Sequence, residues 1–398
     1  MSDSDIAFLL SEDVQQYIEA NLYKTPADLI LAASPYSKSE MTHIVGQIQA
    51  RRKTQTKLPT WFETPNIIYP PLLSIEQCSS EIAALHKAQI LSGSTLTDLT
   101  GGFGVDSYHF AQTFDQVYYV EQYHELAKLV QHNFEAFGVT NVQTKAQSAE
   151  NFLKEVNKVD AIYIDPARRN DAKNKVFRLE ECTPNLLELL PVLWQKTEQL
   201  LIKLSPMLDI DLGIRQLGQV AKVVVVAINN ECKELLFILK NNHQVEPHIE
   251  ALNLNANKPT QYFSFTRSEE SVSQVVYAEP MEYLYEPNVA ILKAGAFKQI
   301  AQCFGLAKLH PHSHLYTSNT WLKDFPGRSF KIKAVCKYTK KEVAKYCPAK
   351  KANITARNFP DSVALVRKKL QLKDGGNDYL FVTQTQAHRA LVIVTEKA

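Results

Sequence analysis

Residues 98–107 read Asp-Leu-Thr-Gly-Gly-Phe-Gly-Val-Asp-Ser and follow the short run Ser94–Leu96. Three glycines where a strand gives way to a helix constrain this chain more than any other stretch. Glycine tolerates the turn, and its missing side chain lets the main chain approach a bound molecule closely. The next strand-like run, Gln116–Val120, ends in Glu121. A glycine turn after one strand and an acid after the next is how an open α/β sheet holds an adenosine. The glycines make room, and the acid accepts hydrogen bonds from the ribose hydroxyls. The alternative is a glycine-rich turn that packs strand on helix with no ligand.

A dinucleotide site would read Gly-x-Gly-x-x-Gly, with its pyrophosphate on the helix N-terminus. Here Gly102-Phe103-Gly104 is followed by Val105, Asp106 and Ser107, so the third glycine is missing. Asp106 also sets a negative charge where the helix dipole would favour a phosphate. The pattern therefore predicts a cofactor with ribose and adenine but no phosphate, which is S-adenosyl-L-methionine. Its candidate positions are Asp98, Thr100, Gly101, Gly102, Phe103, Gly104 and Glu121.

Strands alternate with helices from residue 74 to about 240. The expected strands are 94–98, 117–121, 141–144, 160–164, 199–203, 220–228 and 234–239. Helices are expected at 105–113, 123–137, 148–156 and about 184–196. Such alternation predicts a parallel sheet covered on both faces. The last strand follows its neighbour too soon for a parallel crossover and is expected to be antiparallel. Residues 1–57 read as helical, with Thr25-Pro26 as a helix start and Met41–Arg52 as a longer helix. Ile67-Ile-Tyr-Pro-Pro71 is bounded by proline and is expected to be an extended strap, not a central strand. After about 245 the pattern changes. Residues 258–278 suggest two strands around an exposed turn at Ser268-Glu-Glu-Ser, and Asn288–Phe304 a helix. From the Pro326-Gly327 turn, a small α+β module is expected: strand 329–338, helix 339–346, strand 351–358, helix 360–370 and a hairpin over 379–394.

The length of 398 residues allows two or three domains. No apolar run is long enough for a membrane span, the first residues are acidic, and a cytoplasmic location is expected. Six cysteines, none in a CxxC pair, argue against zinc or disulfide frameworks. The net charge is +2, but fifteen lysines and arginines lie between Trp321 and Lys373 against three acids. That segment nets +12 and leaves about −10 for the remainder. Such asymmetry points to a polyanion partner, with a solvated basic surface as the alternative.

Two more positions fit the cofactor reading. Gln147 follows the third strand, where its amide could donate to and accept from an adenine edge; otherwise it is a polar residue opening a helix. The fourth strand ends in Ile164-Asp-Pro-Ala-Arg-Arg169. The carboxyl end of such a strand faces the ligand crevice, so Asp165 is placed at the reactive part of cofactor and substrate. Pro166 stiffens the turn and holds Asp165 extended. Asp165 and a nearby carbonyl could orient an exocyclic amine or ring nitrogen toward an electrophilic methyl group. Arg168 and Arg169 could clamp a phosphate or carboxylate, or else pair with Asp171 or Glu180. No cysteine sits at the ends of strands four or five, so Cys182 and Cys232 read as structural. His310, His312 and His314 have metal-like spacing but no acidic or thiol partners, and no metal is expected.

The stretches Asp98-Leu-Thr-Gly-Gly-Phe-Gly, Glu121 and Asp165-Pro-Ala-Arg-Arg resemble class I S-adenosylmethionine-dependent methyltransferases. Three further stretches narrow the resemblance: Leu73-Ser-Ile-Glu-Gln-Cys-Ser-Ser80, Asn230-Glu-Cys-Lys-Glu-Leu-Leu236, and Arg367-Lys-Lys-Leu with Lys373-Asp-Gly-Gly-Asn-Asp-Tyr-Leu-Phe381. Together they look like a bacterial subfamily ending in a THUMP-like domain. The resemblance implies a Rossmann-like domain at 73–245 behind an N-terminal helical region and strap at 1–72. It also implies a ferredoxin-like domain at 246–325 and a basic THUMP-like domain at 326–398. True THUMP domains bind RNA, often tRNA, so the implied activity is methylation of a base nitrogen in tRNA or rRNA. A small-molecule or protein methyltransferase, and a non-catalytic RNA-binding protein that retains a cofactor pocket, remain the alternatives. Two positions depart from the family pattern. Gln147 stands where Asp is common, and Asp165-Pro-Ala-Arg lacks the second proline and aromatic residue of amino-methyltransferases.

Overall fold

A computed structural model describes residues 3–168, 179–387 and 390–398. The chain forms two compact units: Met1–Ala221 with Leu235–Val245, and Lys222–Glu234 with Glu246–Ala398.

The first unit alternates strand and helix. After helices α1 (Lys38–Lys57) and α2 (Glu81–Ala88) come β1 (Thr95–Asp98), α3 (Val105–Phe110), β2 (Gln116–Val120), α4 (His124–Ala136), β3 (Val142–Lys145), α5 (Ala149–Glu155) and β4 (Ala161–Ile164). Then follow α6 (Leu186–Lys196), β5 (Gln199–Leu204), α7 (Ile210–Leu217), β6 (Val220–Ile228) and β7 (Glu231–Lys240). The order within this unit is β3-β2-β1-β4-β5-β7. The first five strands are parallel, and β7 runs antiparallel to β5 as the short connection required. Strands β4 and β5 are almost wholly buried, as expected where helices cover both faces. Chain order reverses between β1 and β4, which opens a crevice at their carboxyl ends. Helix α7 was not anticipated from the sequence; Asp209 caps it by accepting from Leu212 N at 2.7 Å.

The N-terminal helices pack on this sheet domain. Helix α1 begins with a capping box, in which Ser37 and Glu40 each accept from the other's backbone N–H. Residues 67–69 form the expected strap, with no strand pairing. Two side-chain amides replace the missing ladder. Gln47 both donates to and accepts from Tyr69 backbone, each at 2.8 Å. Asn133 does the same for Ile68, at 2.8 and 2.9 Å. Each therefore satisfies one buried N–H and one buried C=O. Trp61 and Tyr69 lie in the same apolar cluster as Phe103 of the glycine turn.

The second unit holds β8 (His248–Leu254) and β9 (Gln261–Phe265), which with most of β6 give the order β9-β8-β6. Asn229 and Asn230, both left-handed (φ 50° and 64°), join β6 to β7 in the manner of a tight hairpin. Strand β8 was not expected. The segment read as an exposed turn, Ser268-Glu-Glu-Ser, is helix α8 (Arg267–Val272), because Thr266 and Glu269 form a second capping box. The single helix expected over 288–304 is two, α9 (Val289–Ala294) and α10 (Gln299–Phe304), divided where Gly295 turns left-handed (φ +83°).

The rest of this unit is a seven-stranded sheet ordered β11-β12-β10-β13-β16-β15-β14, from β10 (Tyr283–Pro287), β11 (Ala307–Lys308), β12 (Tyr316–Ser318), β13 (Gly327–Lys337), β14 (Asn353–Ala356), β15 (Tyr379–Thr383) and β16 (Leu391–Lys397). Helices α11 (Lys340–Ala344) and α12 (Val363–Leu370) add Val343, Val366 and Leu370 to the core against Leu380, Val382, Val392 and Val394. A separate cluster joins Leu309 and Leu315 to Phe330, Phe381 and Ile393.

Candidate functional site

The glycine turn, Glu121 and Asp165 converge at one corner of the first unit. Gly102 N–H donates to Glu121 Oε2 at 3.0 Å, and Tyr123 N–H donates to Glu121 Oε1 at 2.8 Å. The carboxylate is thus fixed by two amides and keeps further lone pairs for another donor. Burial pushes its pKa up, partly offset by those amides. Thr100 links the first strand end to the fourth, since Asp165 N–H donates to Thr100 Oγ1 at 2.6 Å.

Two of the glycines answer to packing. A Cβ on Gly101 would lie 2.2 Å from the Tyr119 ring, whose hydroxyl donates to Gly102 C=O at 2.6 Å. A Cβ on Gly104 would lie 2.6 Å from Val130. Gly102 differs: its φ is +53°, and no atom lies closer to the place of its Cβ than Thr100 O at 3.8 Å. Open space beside a left-handed glycine and a fixed carboxylate suits a ribose-bearing ligand of the class expected. The ring of Phe103 is buried among Trp61 and Tyr69, so it offers a ligand only its backbone.

Asp98 is buried. Its carboxylate accepts from Thr100 N–H at 3.0 Å and from the Ser107 hydroxyl at 2.6 Å. Burial, aided by the negative charges of Asp106 and Asp165, pushes its pKa up to about 7. A carboxyl group raised from its ordinary 3.8 binds its proton more tightly in the folded chain. Its contribution is therefore fully present below about pH 4 and lost as pH rises through about 7. We expect Asp98→Asn to gain stability relative to the parent as pH rises across that interval, read as denaturation midpoints at pH 4 and pH 8. A constant difference would show that Asp98 does not titrate there.

Asp106 does not face the corner. It is buried and ion-paired with Lys87, whose Nζ lies 3.0 Å from Oδ1, while Ser79 and Tyr163 hydroxyls each donate to Oδ2 at 2.8 Å. Lys87 offsets its charge, which weakens the argument against a phosphate and leaves the missing third glycine as the main part of that sequence argument. Gln147 lies just past β3, with its side-chain nitrogen donating to Glu155 at 3.3 Å, while its neighbour Ser148 caps α5.

Asp165 and the buried Pro166 follow β4 directly. The Asp165 carboxylate pairs with the ammonium of Lys203, near the end of β5, a contact that the sequence reading missed. An ammonium at the same depth as an acid on a neighbouring strand was the available signal. The backbone of Arg168 pairs with buried Cys182 in a two-residue ladder; Arg169 and Asp171 lie outside the described residues. Burial pushes the Cys232 thiol up, away from reactivity. Among the described residues no group of three or more His, Cys, Asp or Glu side chains is placed to hold a metal. His314 stacks on Phe297 at 3.7 Å, and burial pushes its pKa down to about 4.

In the second unit, buried Glu286 binds both Arg328 and Arg357, the latter at 2.8 Å. Lys333, Lys345, Arg367 and Lys369 also have acidic partners. Among the described residues Lys331, Lys337, Lys341, Lys350, Lys351, Lys368 and Lys373 form no ion pair, which leaves a net basic surface.

The comparisons with known proteins agree with this architecture. Residues 283–326 match a ferredoxin-like domain family, and residues 327–397 a family described as THUMP domain-like. A crystal structure from Porphyromonas gingivalis W83, described as a candidate methyltransferase, superposes with a TM-score of 0.89 at 30% identity, covering 100% of this chain and 99% of that one. The chain belongs to this methyltransferase family. This chain joins a Rossmann-like domain to ferredoxin-like and THUMP-like domains at its C-terminal end. Weaker likenesses, at 16% identity over 40% of the chain, reach a candidate methyltransferase of Streptococcus mutans in complex with SAH (TM-score 0.30) and an rRNA methylase of Streptococcus thermophilus (TM-score 0.29). No curated protein matches the chain. No helix among the described residues is long and apolar enough to cross a membrane.

Proposed function

We propose that this methyltransferase uses S-adenosyl-L-methionine to methylate a base nitrogen in RNA, with tRNA or rRNA as substrate. The observation that carries the proposal is the corner itself: Gly102 N–H on Glu121, and Thr100 Oγ1 on the amide of Asp165. These bonds hold the glycine turn, the ribose-binding acid and the tip of β4 in one fixed frame. The cofactor would supply a methyl group on a sulfonium. Thr100, Gly101, Gly102 and Gly104, with the backbone of Phe103, would form the cradle for its methionine end, Asp98 would brace that cradle, and Glu121 would hold its ribose. Gln147 would meet the adenine by exchanging Glu155 for the base edge. Asp165, with Pro166 stiffening its turn, would orient the target base. Arg168 would hold a phosphate. Positioning of this kind can lower a barrier by roughly 7–11 kcal/mol at best.

RNA is favoured by charge. The unpaired lysines of the second unit suit a phosphate backbone, whose binding weakens with salt. The THUMP-like family of residues 327–397 points the same way. Mass spectrometry of nucleosides from cells with and without the gene tests the proposal. One methylated nucleoside should vanish from tRNA or rRNA and return when the gene is restored. Identical nucleoside profiles would refute the RNA assignment.

A further inference from the structure

The Lys203–Asp165 pair lies at the carboxyl ends of β5 and β4, and nothing in the function above uses Lys203. The pair is partly withdrawn from water: 13% of the Lys203 side chain and 34% of that of Asp165 are exposed. The field of Lys203 extends beyond its partner, because it also holds down the pKa of Asp106 beneath the glycine turn. Charges in such a setting are only partly screened. Glu121 and Asp98 add further acid to the same corner.

We infer that Lys203 is a specificity-determining residue: through its ion pair with Asp165 it sets the preference of this site between a positively charged ligand and its neutral counterpart. The inference rests on the cofactor reading above. S-adenosylmethionine carries a sulfonium, whereas S-adenosylhomocysteine is the neutral thioether left after the methyl group departs. With both partners present, the tip of β4 is close to neutral. Without the ammonium, the Asp165 carboxylate faces the crevice alone and favours the cation. Without the carboxylate, the positive charge of the largely buried Lys203 opposes it.

Equilibrium calorimetry on the full-length protein, with each ligand in turn, gives the ratio of the two dissociation constants. Lys203→Met should shift that ratio toward S-adenosylmethionine by about three- to tenfold, and Asp165→Asn toward S-adenosylhomocysteine by a similar factor. The double variant should return close to the parent. A variant that only damages the fold weakens both ligands together and leaves the ratio unmoved. The inference is overturned if Lys203→Met binds both ligands with a ratio within about twofold of the parent. A parent protein that binds neither ligand overturns the cofactor reading and this inference with it.

Discussion

Replacing Lys87 by Met should destabilise the first unit by about 3–5 kcal/mol, the usual effect of removing one partner from a buried ion pair. Lys87 is fully buried, pairs with Asp106 and donates to Ser79 Oγ at 2.7 Å. Without it, the Asp106 carboxylate keeps, among the described residues, the hydroxyl donors of Ser79 and Tyr163 and the more distant charge of Lys203. In the parent, Lys87 helps hold the pKa of Asp106 down against its burial. In the variant that burial acts with far less opposition, and the folded pKa should rise above its unfolded value. The sign follows: the penalty is small where Asp106 can protonate and grows as pH rises. Urea midpoints of the variant should therefore lie nearer the parent at pH 5 than at pH 8. Adding Asp106→Asn should restore much of the loss. If Lys87→Met alone unfolds within about 1 kcal/mol of the parent at pH 8, the pair is not the strut inferred.

Asp165→Ala should lower methyl transfer to RNA from cells lacking the gene by about 10²–10³-fold, the range for losing one preorganised polar contact at a reacting centre. The protein should still fold, because Asp165 is partly exposed and its backbone bond to Thr100 survives the substitution. The loss should fall on kcat more than on KM for RNA, since on the proposed reading the basic second unit would still hold the phosphate backbone. Incorporation of labelled methyl groups measures both. Activity within about threefold of the parent would remove Asp165 from the reacting centre.

Much of this architecture was legible because its signals are local. Strand and helix alternation, the strap bounded by prolines, and the antiparallel β7 all follow from spacing and connection length. The corner was legible because Gly102, Glu121 and Asp165 each end or follow a strand, and strand ends of a parallel sheet converge. What escaped was set by distant partners. Lys87 lies in the last turn of a helix, and nothing near it in the sequence marks Asp106 as its partner. Asp106 reads as a charge facing ligand until Lys87 is found beneath it. Lys203 stands in an otherwise apolar strand, and only the pairing of β4 with β5 brings Asp165 alongside it. Helix α8 was a different failure: Thr266-Arg-Ser-Glu269 is a helix start visible in the sequence, passed over because Ser268-Glu-Glu-Ser resembles a turn.

The strap over residues 67–69 carries a practical corollary for anyone dissecting the chain. Its main chain is recognised from both sides, by Gln47 of the N-terminal helices and by Asn133 of the sheet domain. A fragment cut at residue 73 would strip the Asn133 amide of its backbone partners on Ile68 and uncover the apolar seat of Phe103, directly behind the glycine corner. The N-terminal region is thus a wall of the catalytic fold, and excision would cost solubility before it revealed a minimal enzyme.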